Sequence, residues 1–135
     1  MIPYQELRIG NYVLAGKKQQ QISMIDQRSS TAALVPVDKT TPVAEYPLEN
    51  IMPVRLTDDV LQQCGFAYHN YFKFWQLIEG VDGDRSEMDI DTDYNLIDFM
   101  RKTIVKEIAS LHQLQNLYFL LKGKELAVQD VITIA

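Results

Sequence analysis

The run from Ser110 to Lys122, S-L-H-Q-L-Q-N-L-Y-F-L-L-K, closed by Gly123, constrains this fold more than any other stretch of the chain. Ser110 is a good helix N-cap, because its hydroxyl can accept a backbone N–H left unpaired in the first turn. Gln113, three residues on, completes the S-x-x-Q form of a capping box. Gly123 supplies a left-handed stop, and the Lys122 charge suits the negative end of the helix dipole. A run of this length at ~1.5 Å per residue gives a rod of roughly 20 Å, about the width of a small domain. At 100° per residue, Leu111, Leu114, Leu117, Tyr118 and Leu121 gather on one side, while Phe119 and Leu120 fall outside that stripe. An apolar arc this wide predicts burial on more than one side. Burying the four stripe leucines would contribute on the order of 6–12 kcal/mol, an upper bound because unfolded chains are already compact. The helix reads as scaffold.

One row on this helix, His112, Gln115, Asn116 and Phe119, admits two readings. It is a candidate polar recognition surface. Equally, its groups can hydrogen-bond the ends of neighbouring strands, as buried polar groups must. A lone histidine without cysteine or carboxylate partners at ligand spacing does not make a metal site.

The chain of 135 residues fits one domain or two small packed lobes, and its 47% hydrophobic content is ordinary for a globular protein. The first residues, M-I-P-Y-Q-E-L-R, show no basic-then-apolar signal segment, and no run approaches the ~20 apolar residues of a membrane span. A single cysteine, Cys64, makes no internal disulfide and fits a reducing compartment, so the expected location is cytoplasmic, away from membranes. Cys64 reads as a small core residue, since no charged activator is near it in sequence. The net charge of −5 is uneven: residues 57–100 hold ten acidic against two basic groups. That imbalance disfavours nucleic acid as a partner, because phosphate binding needs clustered Lys and Arg.

Residues 1–54 read as short strands at 11–15, 19–26 and 31–37, separated by Gly16-Lys17-Lys18 and by Gln27-Arg28-Ser29-Ser30. Prolines at 36, 42, 47 and 53 each remove a ladder donor, which places these segments at edges or connections. The pattern predicts a small SH3-like barrel or curled sheet. A short helix follows, capped by Thr57, with Asp58 and Asp59 in its first turn and Gly65 at its end. Phe66 is placed to fold back on Leu61.

Residues 67–79, A-Y-H-N-Y-F-K-F-W-Q-L-I-E, read as one strand, with Tyr68, Phe72 and Phe74 on one face and His69, Tyr71 and Trp75 on the other. Asp82–Asp93 is strongly acidic. Asp89, Asp91 and Asp93 imitate the start of a calcium loop, but Tyr94 stands where the loop requires Gly and Met100 where it requires Glu. A solvated acidic edge is the expectation. Residues 95–101 and 104–109 are read as two strands rather than a helix extending back from Ser110, and 126–134 as a terminal strand or tail.

No phosphate-binding glycine loop, nucleophile elbow, H-E-x-x-H or C-x-x-C occurs. Catalytic residues, metal ligands and cofactor contacts are therefore not assigned, no cofactor is expected, and the reading leans away from an enzyme.

Three patches, L-H-Q-L-Q-N-L-Y-F-L-L-K-G-K-E-L (Leu111–Leu126), L-R-I-G-N (Leu7–Asn11) and P-V-R-L-T-D-D-V-L (Pro53–Leu61) with Gly65-Phe66, cover about a quarter of the chain. They resemble a family of small uncharacterised bacterial proteins borne on prophages or mobile elements. Members often read T-G-E-E-L where this chain has Lys122-Gly123-Lys124-Glu125-Leu126. The resemblance implies strands before the helix and carries no activity.

The expectation is an α+β protein: a small SH3-like β lobe at 1–54, then an antiparallel sheet with two helices at 55–135, either as separate lobes or one continuous domain. Functionally it is a non-catalytic interaction protein, binding a protein partner or itself, and the resemblance adds a prophage or mobile-element setting. The alternatives are a nucleic-acid binder using Arg8, Lys17, Lys18 and Arg28 of the β lobe, and an enzyme with a site between the lobes that gathers His69 or His112 with two acids.

Overall fold

Among the described residues, two antiparallel five-stranded sheets and two α-helices form an α+β architecture. The computed structural model describes residues 2–38, 42–80 and 86–129. The strands are β1 (Tyr12–Ala15), β2 (Lys18–Asp26), β3 (Thr31–Pro36), β4 (Ala44–Pro47), β5 (Met52–Pro53), β6 (Ala67–His69), β7 (Phe74–Glu79), β8 (Ser86–Asp91), β9 (Leu96–Ile97) and β10 (Thr103–Val105). The helices are α1 (Asp58–Gln63) and α2 (Leu111–Lys122), and 3-10 turns occupy Tyr4–Glu6 and Leu48–Asn50. No helix among the described residues is long and apolar enough to cross a membrane.

The chain divides into two compact units. One is Met1–Arg55 with Ser110–Leu126, and the other is Leu56–Ala109 with Ala127–Ala135. This differs from the expected division into 1–54 and 55–135, because the leucine-rich helix belongs with the N-terminal sheet. The reason lies in α2 itself. It packs against β1 and the first 3-10 turn, and the Leu111 N–H donates to the Val54 carbonyl at 2.9 Å.

In the first unit the strand order is β4-β3-β2-β1-β5. Gly16 and Lys17 both adopt positive φ, 60° and 63°. That is the two-residue hairpin geometry that matches strand twist, and it joins β1 to β2 with Ala15 opposite Lys18. Pro47 and Pro53 lie in β4 and β5, the two edge strands, where a missing donor costs no ladder bond. Ile2, Leu7, Val13, Ile22, Leu34 and Ile51 are among the residues of one buried cluster.

Capping of α2 follows the sequence. Ser110 Oγ accepts from the Gln113 N–H at 3.4 Å, and Gly123 sits at φ 72° with its N–H on the Phe119 carbonyl. Leu111, Leu114 and Tyr118 are buried. Leu117 is only half-buried, and Phe119, Leu120 and Leu121 are exposed, so the apolar arc is covered along one stripe and its last turn stays open.

In the second unit the order is β10-β9-β8-β7-β6. Thr57 Oγ1 caps α1 by accepting from the Val60 N–H at 3.3 Å. The Phe66 N–H returns to the Leu61 carbonyl at 3.0 Å, and Gly65, at φ 92°, provides the left-handed residue that this ending needs. Val60, Leu61, Cys64, Phe66, Trp75, Leu77, Met88, Ile90 and Leu96 are all buried.

Two expectations are corrected here. The stretch 67–79 is a hairpin rather than one strand: Asn70–Lys73 turns the chain, the Lys73 N–H closes on the His69 carbonyl at 2.7 Å, and Lys73 takes φ 56°. The acidic stretch, from residue 86 onward, is the central strand β8 rather than a solvated edge. Residues 82–85 of that stretch and 130–134 of the expected tail lie outside the described residues. The two strands expected in 95–109 are present as the shorter β9 and β10.

Candidate functional site

The predicted row on α2 turns its polar groups onto the N-terminal segment. Gln115 Oε1 accepts from the Tyr12 N–H at 2.9 Å, and its Nε2 donates to the Gly10 carbonyl at 3.1 Å. Asn116 Nδ2 donates to the Glu6 carbonyl at 2.6 Å, while its Oδ1 accepts from Asn11 Nδ2 at 2.9 Å. His112 is buried, with Nδ1 3.0 Å from Ser110 Oγ and Nε2 3.3 Å from Glu6 Oε1. Burial lowers the His112 pKa from the usual 6.5, against the opposing pull of the Glu6 carboxylate. Phe119 carries the Arg8 guanidinium 4.4 Å from its ring centre, and Glu125 grips that guanidinium with both oxygens at 2.7 and 2.8 Å. Together these residues form a clamp that fixes segment 6–12 against the helix.

The basic residues of the nucleic-acid alternative are spread out. Arg8 is held by Glu125, and Lys18 lies 3.9 Å from Asp38. Lys17 and Arg28 sit in the turns at opposite ends of β2, roughly 30 Å apart at ~3.3 Å per strand residue. Cys64 is buried, and desolvation pushes its thiol up to about 12, which suits a core residue and not a nucleophile.

A different arrangement forms on the sheet of the second unit. Register places Trp75 opposite Ile90 and Leu77 opposite Met88 on one face, the buried one. On the other face, Phe74, Gln76 and Ile78 stand opposite Asp91, Asp89 and Glu87, with His69 beside Phe74 and Ile97 beside Asp89. Gln76 is the hub of this outer face. Its Oε1 lies 2.9 Å from His69 Nε2, and its Nε2 donates to Glu87 Oε2 at 2.6 Å and Asp89 Oδ1 at 3.1 Å. The His69 ring stacks on Phe74 with centres 4.8 Å apart.

Two turns bring aromatic side chains over the end of this face. In the Asn70–Lys73 turn, Tyr71 and Phe72 meet edge to face at 4.8 Å. In the turn after β9, Asp98 Oδ1 accepts from the N–H groups of Met100 and Lys102, both at 2.9 Å, and Arg101 takes φ 65°. That turn holds the Arg101 guanidinium 4.9 Å from the Phe72 ring centre and 5.6 Å from that of Phe74. Between the turns lies an open groove of about 320 Å³, lined by Phe72, Phe74, Phe99, Arg101, Glu87 and Asp89 among others.

Asp89 is only 8% exposed although it faces outward and lines this groove. Burial raises its pKa above the usual 3.8; the Gln76 amide lowers it, and the Glu87 charge raises it further. Asp91 does a different job. Its Oδ1 accepts from the Asp93 and Asn95 N–H groups at 2.9 and 3.0 Å, closing the turn into β9. Among the described residues, no three His, Cys, Asp or Glu side chains gather as a metal site.

Sequence reasoning missed this cluster because it read 67–79 as one strand and so put His69 on the Trp75 face. The signal was present in Asn70, a turn former in the middle of the run. The contribution of Phe99 and Arg101 depends on a tertiary approach of two turns and has no local signature. Compared with known proteins, the chain matches no family model, no curated protein and no solved structure.

Proposed function

We propose that this chain is a non-catalytic interaction protein that binds a protein partner through the aromatic end of the second unit's outer face. The observation that carries this reading is exposure: Tyr71 is 87% exposed, Phe99 85% and Phe72 54%, and the groove joins the turns that bear them. Large rings left in water beside one another forgo burial, and contiguous apolar patches of this kind mark interaction sites. Aromatic side chains are also the residues most enriched where interfaces concentrate their binding energy.

The chemistry of the cluster supports a binding role over a catalytic one. An amide, Gln76, stands between His69 and the two carboxylates. An amide does not titrate, so it orients its neighbours without passing a proton between them.

The first unit serves as the carrier in this reading. A meander whose fifth strand returns to pair with the first is the closure that an SH3-like barrel needs, and the order β4-β3-β2-β1-β5 supports that description. The prophage or mobile-element setting rests on the resemblance of Leu7–Asn11, Pro53–Leu61 and Leu111–Leu126 alone.

Photo-crosslinking in cells tests the reading. A photoreactive side chain replacing Tyr71 should capture a protein, whereas one replacing Met24, exposed in the first unit, should not. Equal capture at both positions, or none at Tyr71, contradicts it.

A further inference from the structure

We propose that a cavity between α1 and the turn into β9 binds a primary ammonium group carried on an apolar stem, with the head against Asp58 and the stem against Tyr68 and Trp75. The cavity, of about 400 Å³, is lined by Asp58 and Gln62 of α1, Tyr68 of β6, Trp75 of β7, and Thr92 and Tyr94 of the turn. Tyr68 stands opposite Trp75 in the ladder, so the cavity lies on the Trp75 face of the sheet and not on the face that bears the aromatic groove. The proposal is therefore independent of the binding reading above.

Three features point to an ammonium ligand. The first is the pair of rings. Tyr68 and Trp75 meet with centres 5.1 Å apart and planes inclined at 56°, a corner rather than a flat platform. Trp75 is buried and forms the floor, while Tyr68 is more open. A cation within about 6 Å of a ring centre is attracted by its quadrupole, and a methylene stem buries itself along the same apolar surface. Among the described residues no cation occupies these two rings; the arginines that meet rings do so at Phe119, Phe72 and Phe74. A corner suits a compact ammonium better than a planar guanidinium, which stacks flat.

The second feature is Asp58. Tyr94, at φ 63°, a conformation uncommon for a bulky residue, donates its phenol to Asp58 Oδ1 at 2.7 Å. That bond fixes the carboxylate, and among the described residues no group donates to its Oδ2. An exposed ion pair alone contributes little. Here the Gln62 carbonyl and the Thr92 hydroxyl belong to the same lining and add acceptors for a head that has three donors to place. The third feature is charge. The second unit holds twelve acidic against five basic residues, and no Lys, Arg or His is among the described residues that line the cavity. That field draws cations and opposes carboxylate or phosphate ligands.

Trp75 is the chain's one tryptophan, so its fluorescence reports on this cavity directly. Titration of the full chain with n-butylammonium should change the emission saturably, at a concentration at least about tenfold below that needed of the neutral isostere 1-butanol, and added salt should weaken it. Asp58→Asn keeps an acceptor for Tyr94 but removes the charge, and should weaken binding about tenfold. Tyr68→Leu should weaken it severalfold. Asp59→Asn makes the same charge change one residue away, outside the lining, and should alter binding by less than about twofold. Lysine blocked at both ends carries the same head on the same four-carbon stem and separates the sources of the ligand. If it binds at least as tightly as n-butylammonium, the ligand is a lysine side chain; if it binds more weakly, the ligand is a free amine. Either result upholds the ammonium assignment.

Other outcomes overturn it. If 1-butanol matches n-butylammonium, the cavity takes an uncharged ligand. If Asp59→Asn weakens binding as much as Asp58→Asn, the attraction belongs to the acidic unit at large and not to this cavity. If neither amine changes the Trp75 emission saturably, the cavity is not an ammonium site.

Discussion

Glutamine and histidine appear in polar clusters of both units, yet their surroundings give them opposite work. On α2, Gln115 spends both ends of its amide on the backbone of Gly10 and Tyr12, and His112 is enclosed between Ser110 and Glu6. On the outer face of β7, Gln76 spends its amide on His69, Glu87 and Asp89, side chains that reach solvent or a groove. The difference is what each polar group finds opposite it. Backbone groups left unpaired by an irregular segment absorb side chains into the frame. A regular ladder satisfies its own backbone, so side chains on its outer face are left to one another and to ligands.

The contrast can be broken at six positions, in decreasing order of effect. Leu114 is fully buried in the first unit, so Leu114→Ala should cost about 2–5 kcal/mol in equilibrium unfolding. A cost below about half a kcal/mol would mean that α2 is not part of the frame. Gln115→Ala removes an acceptor of the Tyr12 N–H and one of two amide donors to the Gly10 carbonyl, the other being Gln21, and should cost about 1–3 kcal/mol. Gln76→Ala removes no partner of a backbone group among the described residues, only bonds among side chains at the groove, and should cost clearly less in the same experiment.

The pH dependence should run in opposite directions in the two units. His112 has a folded pKa below 6.5, so the unfolded chain binds its proton more readily; stability present above pH 6.5 is lost as pH falls toward the folded value. Asp89 has a folded pKa above 3.8, so the folded chain holds its proton longer; stability is lost as pH rises from 3.8 through the folded value. Unfolding measured across pH should therefore show the parent losing ground to His112→Gln on acidification below 6.5. Against Asp89→Asn it should lose ground as pH rises from 3.8. A parent that tracks both variants in parallel would refute the assignment. The smallest effect belongs to Phe99→Ala, expected within about 0.5 kcal/mol of the parent because the ring is mostly in water.

What the sequence disclosed follows the range of the interactions involved. Caps and stops are local, and Ser110, Gly123, Thr57 and Gly65 all do what their neighbours imply. The strands β1 to β3, with Gly16-Lys17 between the first two, were legible for the same reason. The destination of α2 was not. Its amides match acceptors and donors about a hundred residues away, at Glu6, Gly10, Asn11 and Tyr12, and no periodicity encodes such a match. Faces on the second sheet depended on one hairpin. Placing a turn at Asn70–Lys73 moves His69 from the Trp75 side to the Phe74 side, since strand faces alternate with every residue. The acidity of 86–93 suggested solvent throughout, but Met88 and Ile90 anchor β8 in the core, and even the outward-facing Asp89 is only slightly exposed.

The account stands on Tyr71, Phe72 and Phe99 being displayed for a partner and not used to hold the second unit together. Equilibrium urea unfolding of the double variant Tyr71→Ser/Phe99→Ser, set beside protein capture by a photoreactive side chain replacing Phe72 in the same variant, addresses that directly. Stability should stay within about 1 kcal/mol of the parent, with capture lost relative to the same photoreactive side chain in the otherwise unchanged protein. A loss of several kcal/mol, or undiminished capture, would contradict it.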